Sequence, residues 1–251
     1  MYPDLFGIKD FSYIFMIIIG VIAAVTLFII FMKKKSSANY LDLLVVAIFS
    51  ILIGVVFAIL FENVYEAIKA ASLGSSPRWT WGMTFYGGLV GGVITFLLLY
   101  RFYYLRHNKP ILKDILLIAP SSIALGHGIG RLGCFLAGCC YGIEMEHGVY
   151  FQVHDAYLLP TQLIEMSFLL ALSLILGIFA FKNVTKYTMP IYMLSYGVFR
   201  FIIEFFRGDE RGQIGALSPS QYWCIIMVIA AIGLFIFYNK YYFKKEVSNA
   251  I

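Results

Sequence analysis

Charge is scarce in this chain. Only 13% of its 251 residues are Asp, Glu, Lys or Arg, about half the share carried by an ordinary soluble domain. Proline is thin as well, with seven residues, and no low-complexity stretch interrupts the sequence. No convincing internal repeat is present, which disfavours a transporter built from repeated halves. The first apolar run is long, is followed by Lys33, Lys34 and Lys35, and lacks a small-residue cleavage site, so no cleavable signal peptide is expected.

What is abundant is apolar surface, at 61% of the residues. It is arranged in runs of about 20 residues, the length that crosses a bilayer core of roughly 30 Å as a helix. In lipid every backbone polar group must be satisfied internally, so these runs are expected to be helical. The chain therefore reads as an all-α polytopic membrane protein with about seven transmembrane helices, spanning 12–32, 41–62, 82–105, 112–136, 161–181, 187–206 and 218–238. Residues 1–251 form a single integral membrane domain in this reading. The net charge of +5 does not point to nucleic acid, because the basic residues sit at the ends of apolar runs, where they set topology and meet lipid headgroups. Lys33–Lys35, then Arg101, Arg106, Lys109 and Lys113, then Lys182 and Lys186, then Lys240, Lys244 and Lys245 share one side. They outnumber the basic residues of the other side, so theirs is the cytoplasmic one. The N-terminus is then outside and the C-terminus cytoplasmic. On the outer side, residues 63–81 carry Trp79 and Trp81 and suit an interfacial segment. Residues 139–160 read as a folded external cap.

Ionisable residues inside apolar spans are costly and point to function. In the fourth span, His127 and Arg131 are four apart and share a helix face, with Cys134 three residues on. Glycines at 126, 128, 130 and 133 let another backbone or a lipid headgroup approach closely. Pro120, followed by Ser121 and Ser122, is expected to kink this helix. In the sixth span, Arg200, Glu204 and Arg207 stand at i, i+4 and i+7 and are expected to form one stripe. That stripe either fixes helix packing as an intramembrane ion pair or brings Arg200 or Arg207 beside Arg131 to grip a phosphate, for which the planar guanidinium fork is suited. The third span opens Phe85-Tyr86-Gly87-Gly88-Leu89-Val90-Gly91-Gly92, two overlapping small-xxx-small pairs. Tyr86 either presents its hydroxyl to a site or belongs to an interfacial aromatic belt.

Three of the four cysteines, Cys134, Cys139 and Cys140, fall within seven residues. They admit three readings: buried small hydrophobes, an external disulfide, or reactive thiols or, with His127, metal ligands. The Cys-x4-Cys-Cys spacing matches no strong zinc pattern, so no metal is assigned and no cofactor is expected.

The segment Gly130-Arg131-Leu132-Gly133-Cys134-Phe135-Leu136-Ala137-Gly138-Cys139-Cys140-Tyr141-Gly142 resembles the signature of bacterial prolipoprotein diacylglyceryl transferases, usually GRxGNFxNGExxG. Phe85-Tyr86-Gly87-Gly88 resembles that family's FHGG. Pro160-Thr161-Gln162-Leu163-Ile164-Glu165 resembles its HP-[ST]-QLYE without the His, and Tyr196 through Arg207 is similar to YGxxRFxxEFFR. Tyr2-Pro3 near the N-terminus also fits. The resemblance implies a transferase of the bacterial cytoplasmic membrane. Its donor would be phosphatidylglycerol or a similar anionic phospholipid, and its acceptor the lipobox Cys thiol of a lipoprotein precursor. It implies that Arg131 and Arg200 hold the headgroup, that Glu204 orients an Arg or a glycerol hydroxyl, that Gly142 closes the signature loop, and that Gln162 and Arg207 belong to the substrate site. The chain departs from the family pattern at Tyr86 for His, Cys134 for Asn, Ala137 for Asn, Cys139 for Glu and Leu159 for His. The anion-binding frame is kept while much of the acid–base equipment is not. Either His127 takes over as base, or the same fold serves a different acceptor or uses Cys134, Cys139 or Cys140 as a nucleophile. A thiol-redox or metal-handling membrane protein on the same scaffold is the reading from another class.

Overall fold

A computed structural model describes residues 11–35, 40–72, 74–105, 112–209 and 216–242. Tyr2, Pro3, Arg106, Lys109, Lys244 and Lys245, invoked above, lie outside the described residues. The described chain forms α1 (Phe11–Lys35), α2 (Tyr40–Ser72), α3 (Phe85–Leu99), α4 (Leu112–Ala137), β1 (Glu144–Phe151), β2 (Ala156–Leu158), α5 (Thr161–Lys182), α6 (Thr188–Ile203) and α7 (Pro219–Phe237). Among the described residues, six helices are long and apolar enough to cross a membrane. The expected third span is the shorter apolar helix of this set, Gly87–Phe102. The protein is thus an all-α, multi-pass membrane protein. Its outward side chains agree with that solvent: Ile18 and Ile22 on α1, Leu174 on α5 and Ile229 on α7 are each half-exposed or more. In water such a surface would be strongly unfavourable, and in lipid tails it is not.

The chain divides into two compact units, one of Ser36–Lys113 and one of Met1–Lys35 with Asp114–Ile251. In the first, α2 and α3 pack through glycine. A Cβ on Gly87 would stand 2.6 Å from the Phe61 Cβ, and one on Gly54 would stand 3.0 Å from the Gly88 carbonyl oxygen. The helical part of the 63–81 segment is the continuation of α2 to Ser72. Beyond it the chain returns without helix to Thr84. Asn63 ties down that return, donating to the Thr80 carbonyl and accepting from the Thr80 N–H, both at 2.9 Å. Thr84 donates to Glu62 at 2.7 Å.

In the other unit, α1 meets α4 at a glycine pair. A Cβ on Gly20 would lie 2.7 Å from the Gly126 oxygen, and one on Gly126 would lie 2.9 Å from the Gly20 oxygen. The helix assignment of α4 runs through Pro120 without a break. Proline has no N–H, so it leaves the carbonyl four residues earlier without its helical donor. That carbonyl belongs to Leu116, and the Thr188 hydroxyl lies 3.1 Å from it and 2.8 Å from the Leu117 oxygen. One turn later, Ser121 and Ser173 exchange bonds, each hydroxyl donating to the other's carbonyl at 3.1 and 2.8 Å. These contacts fix α4 against α5 and α6 around a core of Ala124, Leu169, Leu172, Leu176, Tyr192 and Tyr196. The 139–160 segment contains the antiparallel β1–β2 hairpin. Helix α7 starts on a capping box: Ser218 accepts from the Gln221 N–H, and the Gln221 side chain accepts from the Ser218 N–H.

Candidate active site

Gly133 and Gly126 let α4 approach α1 closely, and the opposite side of α4 carries His127 and Arg131 toward α5 and α6. What they meet is Glu165, on the second turn of α5 and 1% exposed. Arg131 Nη2 lies 2.8 Å from Glu165 Oε1. The Tyr196 hydroxyl donates to the same oxygen at 2.8 Å. Arg200 Nη1 lies 3.8 Å from the other oxygen, Oε2. His127 Nε2 stands 3.8 Å from Oε1, and its ring meets the Tyr196 ring edge-on at 5.1 Å between centroids. Arg200 continues the chain of charges, with Nη2 2.6 Å from Glu204 Oε2. Glu204 Oε1 in turn accepts from Ser218 at 2.8 Å. Arg200, Glu165 and Glu204 are therefore buried together, with Arg131 at their edge, its side chain 13% exposed. A buried charge is tolerable only when paired in this way.

The pairing is incomplete. Arg131 Nε, Arg200 Nη1 and Gln162 Oε1 are buried without a hydrogen-bond partner. Unsatisfied buried donors cost about 1–3 kcal/mol each. Here two of them belong to neighbouring guanidiniums that already share one carboxylate.

Arg207 departs from the expected stripe. Helix α6 ends at Ile203, a 3-10 turn covers Glu204–Phe206, and Arg207 is extended (φ −81°, ψ 138°). A helical i+7 relation requires a continuous helix, and this turn ends it. Arg207 instead grips Asp209 with Nε and Nη2, at 2.7 and 2.6 Å. It also forms an antiparallel bridge with Gly142. The Gly142 N–H donates to Leu159 O at 2.9 Å, the Ile143 N–H to Phe206 O at 3.0 Å, and the Gly208 N–H to Tyr141 O at 3.1 Å. A Cβ on Gly142 would stand 2.7 Å from Phe206 O and 2.8 Å from Leu159 O. Only glycine lets these strands close. The result ties the end of the signature loop to Arg207.

Between α4 and Gly142 the chain turns sharply, with positive φ at Gly138 (74°) and Cys140 (64°). The turn is pinned from several sides. Cys139 N–H donates to Cys134 O at 3.1 Å. Gln162 Nε2 donates to Cys139 O at 2.5 Å, Thr161 Oγ1 to Cys140 O at 2.7 Å, and His154 Nε2 meets Gly138 O at 2.9 Å. Gln162 thus holds the loop through its amide. The turn gathers the thiols of Cys134, Cys139 and Cys140 within 4.8 Å of one another. No disulfide joins any of the four cysteines, and Cys224 is buried on α7. Bonds from the Cys134 and Cys139 thiols, and then the guanidiniums of Arg207 and Arg131, hold the Cys140 thiol well below the ordinary thiol range. Cys139, as donor, is pushed up.

Of the residues singled out from sequence, His127, Arg131, Arg200 and Glu204 join one network around Glu165. Cys134, Cys139, Cys140, Gly142, Gln162 and Arg207 build the adjoining turn. Tyr86 belongs to the other unit, on the first turn of α3, and its side chain lies outside the described residues. Sequence reasoning passed over Glu165 as the hub, with Tyr196 as its hydroxyl donor and Asp209 as the partner of Arg207. Glu165 did carry a signal, a carboxylate within an apolar run of 22 residues.

A family model described as prolipoprotein diacylglyceryl transferase matches residues 4–237. Curated relatives named phosphatidylglycerol–prolipoprotein diacylglyceryl transferase align along almost their full length. One from Clostridium tetani is 33% identical, covering 97% of this chain and 98% of the relative. One from Clostridium perfringens, numbered 2, is also 33% identical, covering 98% and 97%. One from Finegoldia magna is 31% identical, covering 97% of each. A match of this extent shows that the chain belongs to the prolipoprotein diacylglyceryl transferase family.

Proposed function

We propose that the protein is a transferase that moves the diacylglyceryl group of phosphatidylglycerol, or a similar anionic phospholipid, to the lipobox Cys thiol of a lipoprotein precursor. The observation that carries this reading is the pair Arg131 and Arg200. Arg200 is buried and Arg131 largely so; both stand beside the Glu165 carboxylate, and Arg131 Nε and Arg200 Nη1, the latter at only long ion-pair range from it, each lack a hydrogen-bond partner. Two such donors side by side suit the oxygens of a phosphate monoester, which is the leaving group of the reaction.

In the transfer, a C–S bond forms between the acceptor thiol and the diacylglyceryl carbon. The bond between that carbon and the phosphate oxygen breaks, and glycerol phosphate leaves with the electron pair. Arg131 Nε and Arg200 Nη1 take up the charge that develops on that oxygen. His127 receives the thiol proton, and Glu165, 3.8 Å from its Nε2, stabilises the imidazolium that results. Glu204 and Tyr196 act as positioning residues, through Arg200 and Glu165 respectively. The site lies toward the extracytoplasmic face of the bacterial cytoplasmic membrane, with the N-terminus outside and the C-terminus in the cytoplasm.

Complementation of a strain depleted of its own diacylglyceryl transferase tests the reading. Growth, with thioether-linked diacylglyceryl on a reporter lipoprotein, is the expected result. Absence of the modified reporter despite membrane expression would overturn it.

A further inference from the structure

The signature loop carries a feature that the transfer reaction leaves unused. Cys134 ends on the buried side of α4, Cys139 is exposed and Cys140 lies between, yet their three sulfurs lie within 4.8 Å of one another. For any triangle with sides no longer than this, one point lies within about 2.8 Å of all three corners. A metal–thiolate bond to zinc is about 2.3 Å, so shifts of roughly half an ångström per sulfur would complete three such bonds.

We propose that Cys134, Cys139 and Cys140 form a three-thiolate site for one thiophilic cation of the Zn(II) or Cu(I) class. Sulfur-only donors select such soft cations over Mg(II) and Ca(II).

Three further observations support the site. The first is backbone conformation. Cys140 is one of only three non-glycine residues with positive φ among the described residues. A side chain held there is costly, and this one is turned toward the other two sulfurs. The second is the surrounding shell. The carbonyls of Cys134, Gly138, Cys139 and Cys140 are each engaged, by the Cys139 N–H, His154, Gln162 and Thr161 respectively. Outer bonds of this kind orient metal ligands and hold them ready. The third is charge. Three thiolates around M(II) leave one net negative charge, or two around a monovalent cation. Arg131, three residues before Cys134 on α4, and Arg207, bridged to Gly142 two residues after Cys140, bring positive charge to this turn and would offset it. The exposed Cys139 provides the route of entry. A metal here would clamp the turn that leads to Gly142, and with it the strand bridge to Arg207.

The test uses the whole protein, purified in detergent, reduced, and stripped of metal with a chelator. Cd(II) is titrated as probe, with Zn(II) as competitor. One equivalent of Cd(II) should bring up thiolate-to-metal charge-transfer absorption, Zn(II) should abolish it, and X-ray absorption should count three sulfur neighbours. Cys139→Ser changes the exposed member and should weaken binding at least about tenfold while the metal-free melting temperature stays the same. Cys224→Ala should bind as wild type does. No absorption from reduced wild type, two or fewer sulfur neighbours, or full affinity in Cys139→Ser would each overturn the site. So would a disulfide within the trio, seen as two thiols in the unreduced, denatured protein that alkylate only after a reductant is added.

Discussion

Glu165 and Arg131 meet at 2.8 Å from two different helices, α5 and α4, and this contact organises the site. Arg200 approaches the same carboxylate at 3.8 Å, and Tyr196 caps it with a hydroxyl at 2.8 Å. A single anion therefore keeps two buried cations close together, where their mutual repulsion would otherwise be large. It also leaves Arg131 Nε without a hydrogen-bond partner, and Arg200 Nη1 with only its long ion pair to the same carboxylate.

Replacing Glu165 with Gln should remove that anion and leave Arg131 and Arg200 facing each other. Breaking a buried pair by deleting one partner typically costs about 3–5 kcal/mol. The expected outcome is a marked fall in melting temperature in detergent together with loss of transferase activity. An intact melting temperature in Glu165→Gln would show that the carboxylate does not hold the network together.

Arg131→Lys separates charge from geometry. Lysine can still face Glu165 as a point charge, but it lacks the Nε of the guanidinium. If that Nε takes a phosphate oxygen, kcat/KM should fall at least about tenfold, which is roughly 1.4 kcal/mol of transition-state stabilisation, while the folded fraction changes little. Equal activity in Arg131→Lys would remove Arg131 from phosphate binding.

The lysine-rich ends carry the orientation. Lys33–Lys35 close α1 and Lys182 closes α5, and positive residues stay on the cytoplasmic side. Single-cysteine labelling should find Lys33→Cys and Lys182→Cys blocked to an impermeant maleimide in intact cells, and Glu146→Cys in β1 reactive. These variants need a background in which the other cysteines are replaced. Reaction in the reverse pattern would invert the topology and move the site to the wrong face for a lipoprotein precursor.

Most of the helices were legible in the sequence because lipid leaves the backbone few options. The expected span 112–136 is the helix 112–137, and 161–181 is 161–182. Two kinds of feature were not. The first is local geometry outside the apolar runs. The hairpin at 144–158 depends on the pairing of β1 with β2, and the course of Arg207 off its stripe on the bonds that Gly142 and Ile143 make with Leu159 and Phe206, which no periodicity encodes. The second is which charges pair. Arg200 and Glu204 were readable as i, i+4 neighbours and meet at 2.6 Å. The contact of Glu165 with Arg131 joins two helices across a hairpin, and only the fold brings the two together. The cysteines show the same limit, since a Cys-x4-Cys-Cys spacing resembles no metal pattern until the backbone turns at Gly138 and Cys140.

Glu204 offers an internal comparison. It is 8% exposed, pairs with Arg200 at 2.6 Å and accepts from Ser218 at 2.8 Å. Glu144, at the exposed start of β1, has the same chemistry in a solvated setting. Glu204→Gln should destabilise the protein by several times more than Glu144→Gln, which should stay within about 0.5 kcal/mol of wild type. Thermal unfolding of the two variants in the same detergent measures the difference, and equal, small shifts would mean that Glu204 is solvated.

Gly142 should prove the least replaceable residue of the loop, and Gly142→Ala measures how far the strand bridge matters to the site. The added methyl would sit 2.7 Å from Phe206 O and 2.8 Å from both Leu159 O and its Cβ. Two of these three neighbours are backbone oxygens fixed by their own hydrogen bonds, so they cannot yield as a flexible side chain would. Overpacking of this kind costs typically 1–3 kcal/mol, and relief requires the Gly142–Arg207 bridge to open. The expected result has two parts. Stability falls by about that amount, and activity falls further than stability accounts for, because the bridge places Arg207, which the family resemblance assigns to the substrate site. Gly130→Ala serves as the control, since a Cβ there meets nothing within 4 Å and a helical alanine should be neutral or mildly stabilising. Should Gly142→Ala retain both wild-type melting and wild-type activity, the bridge would be no part of the working site.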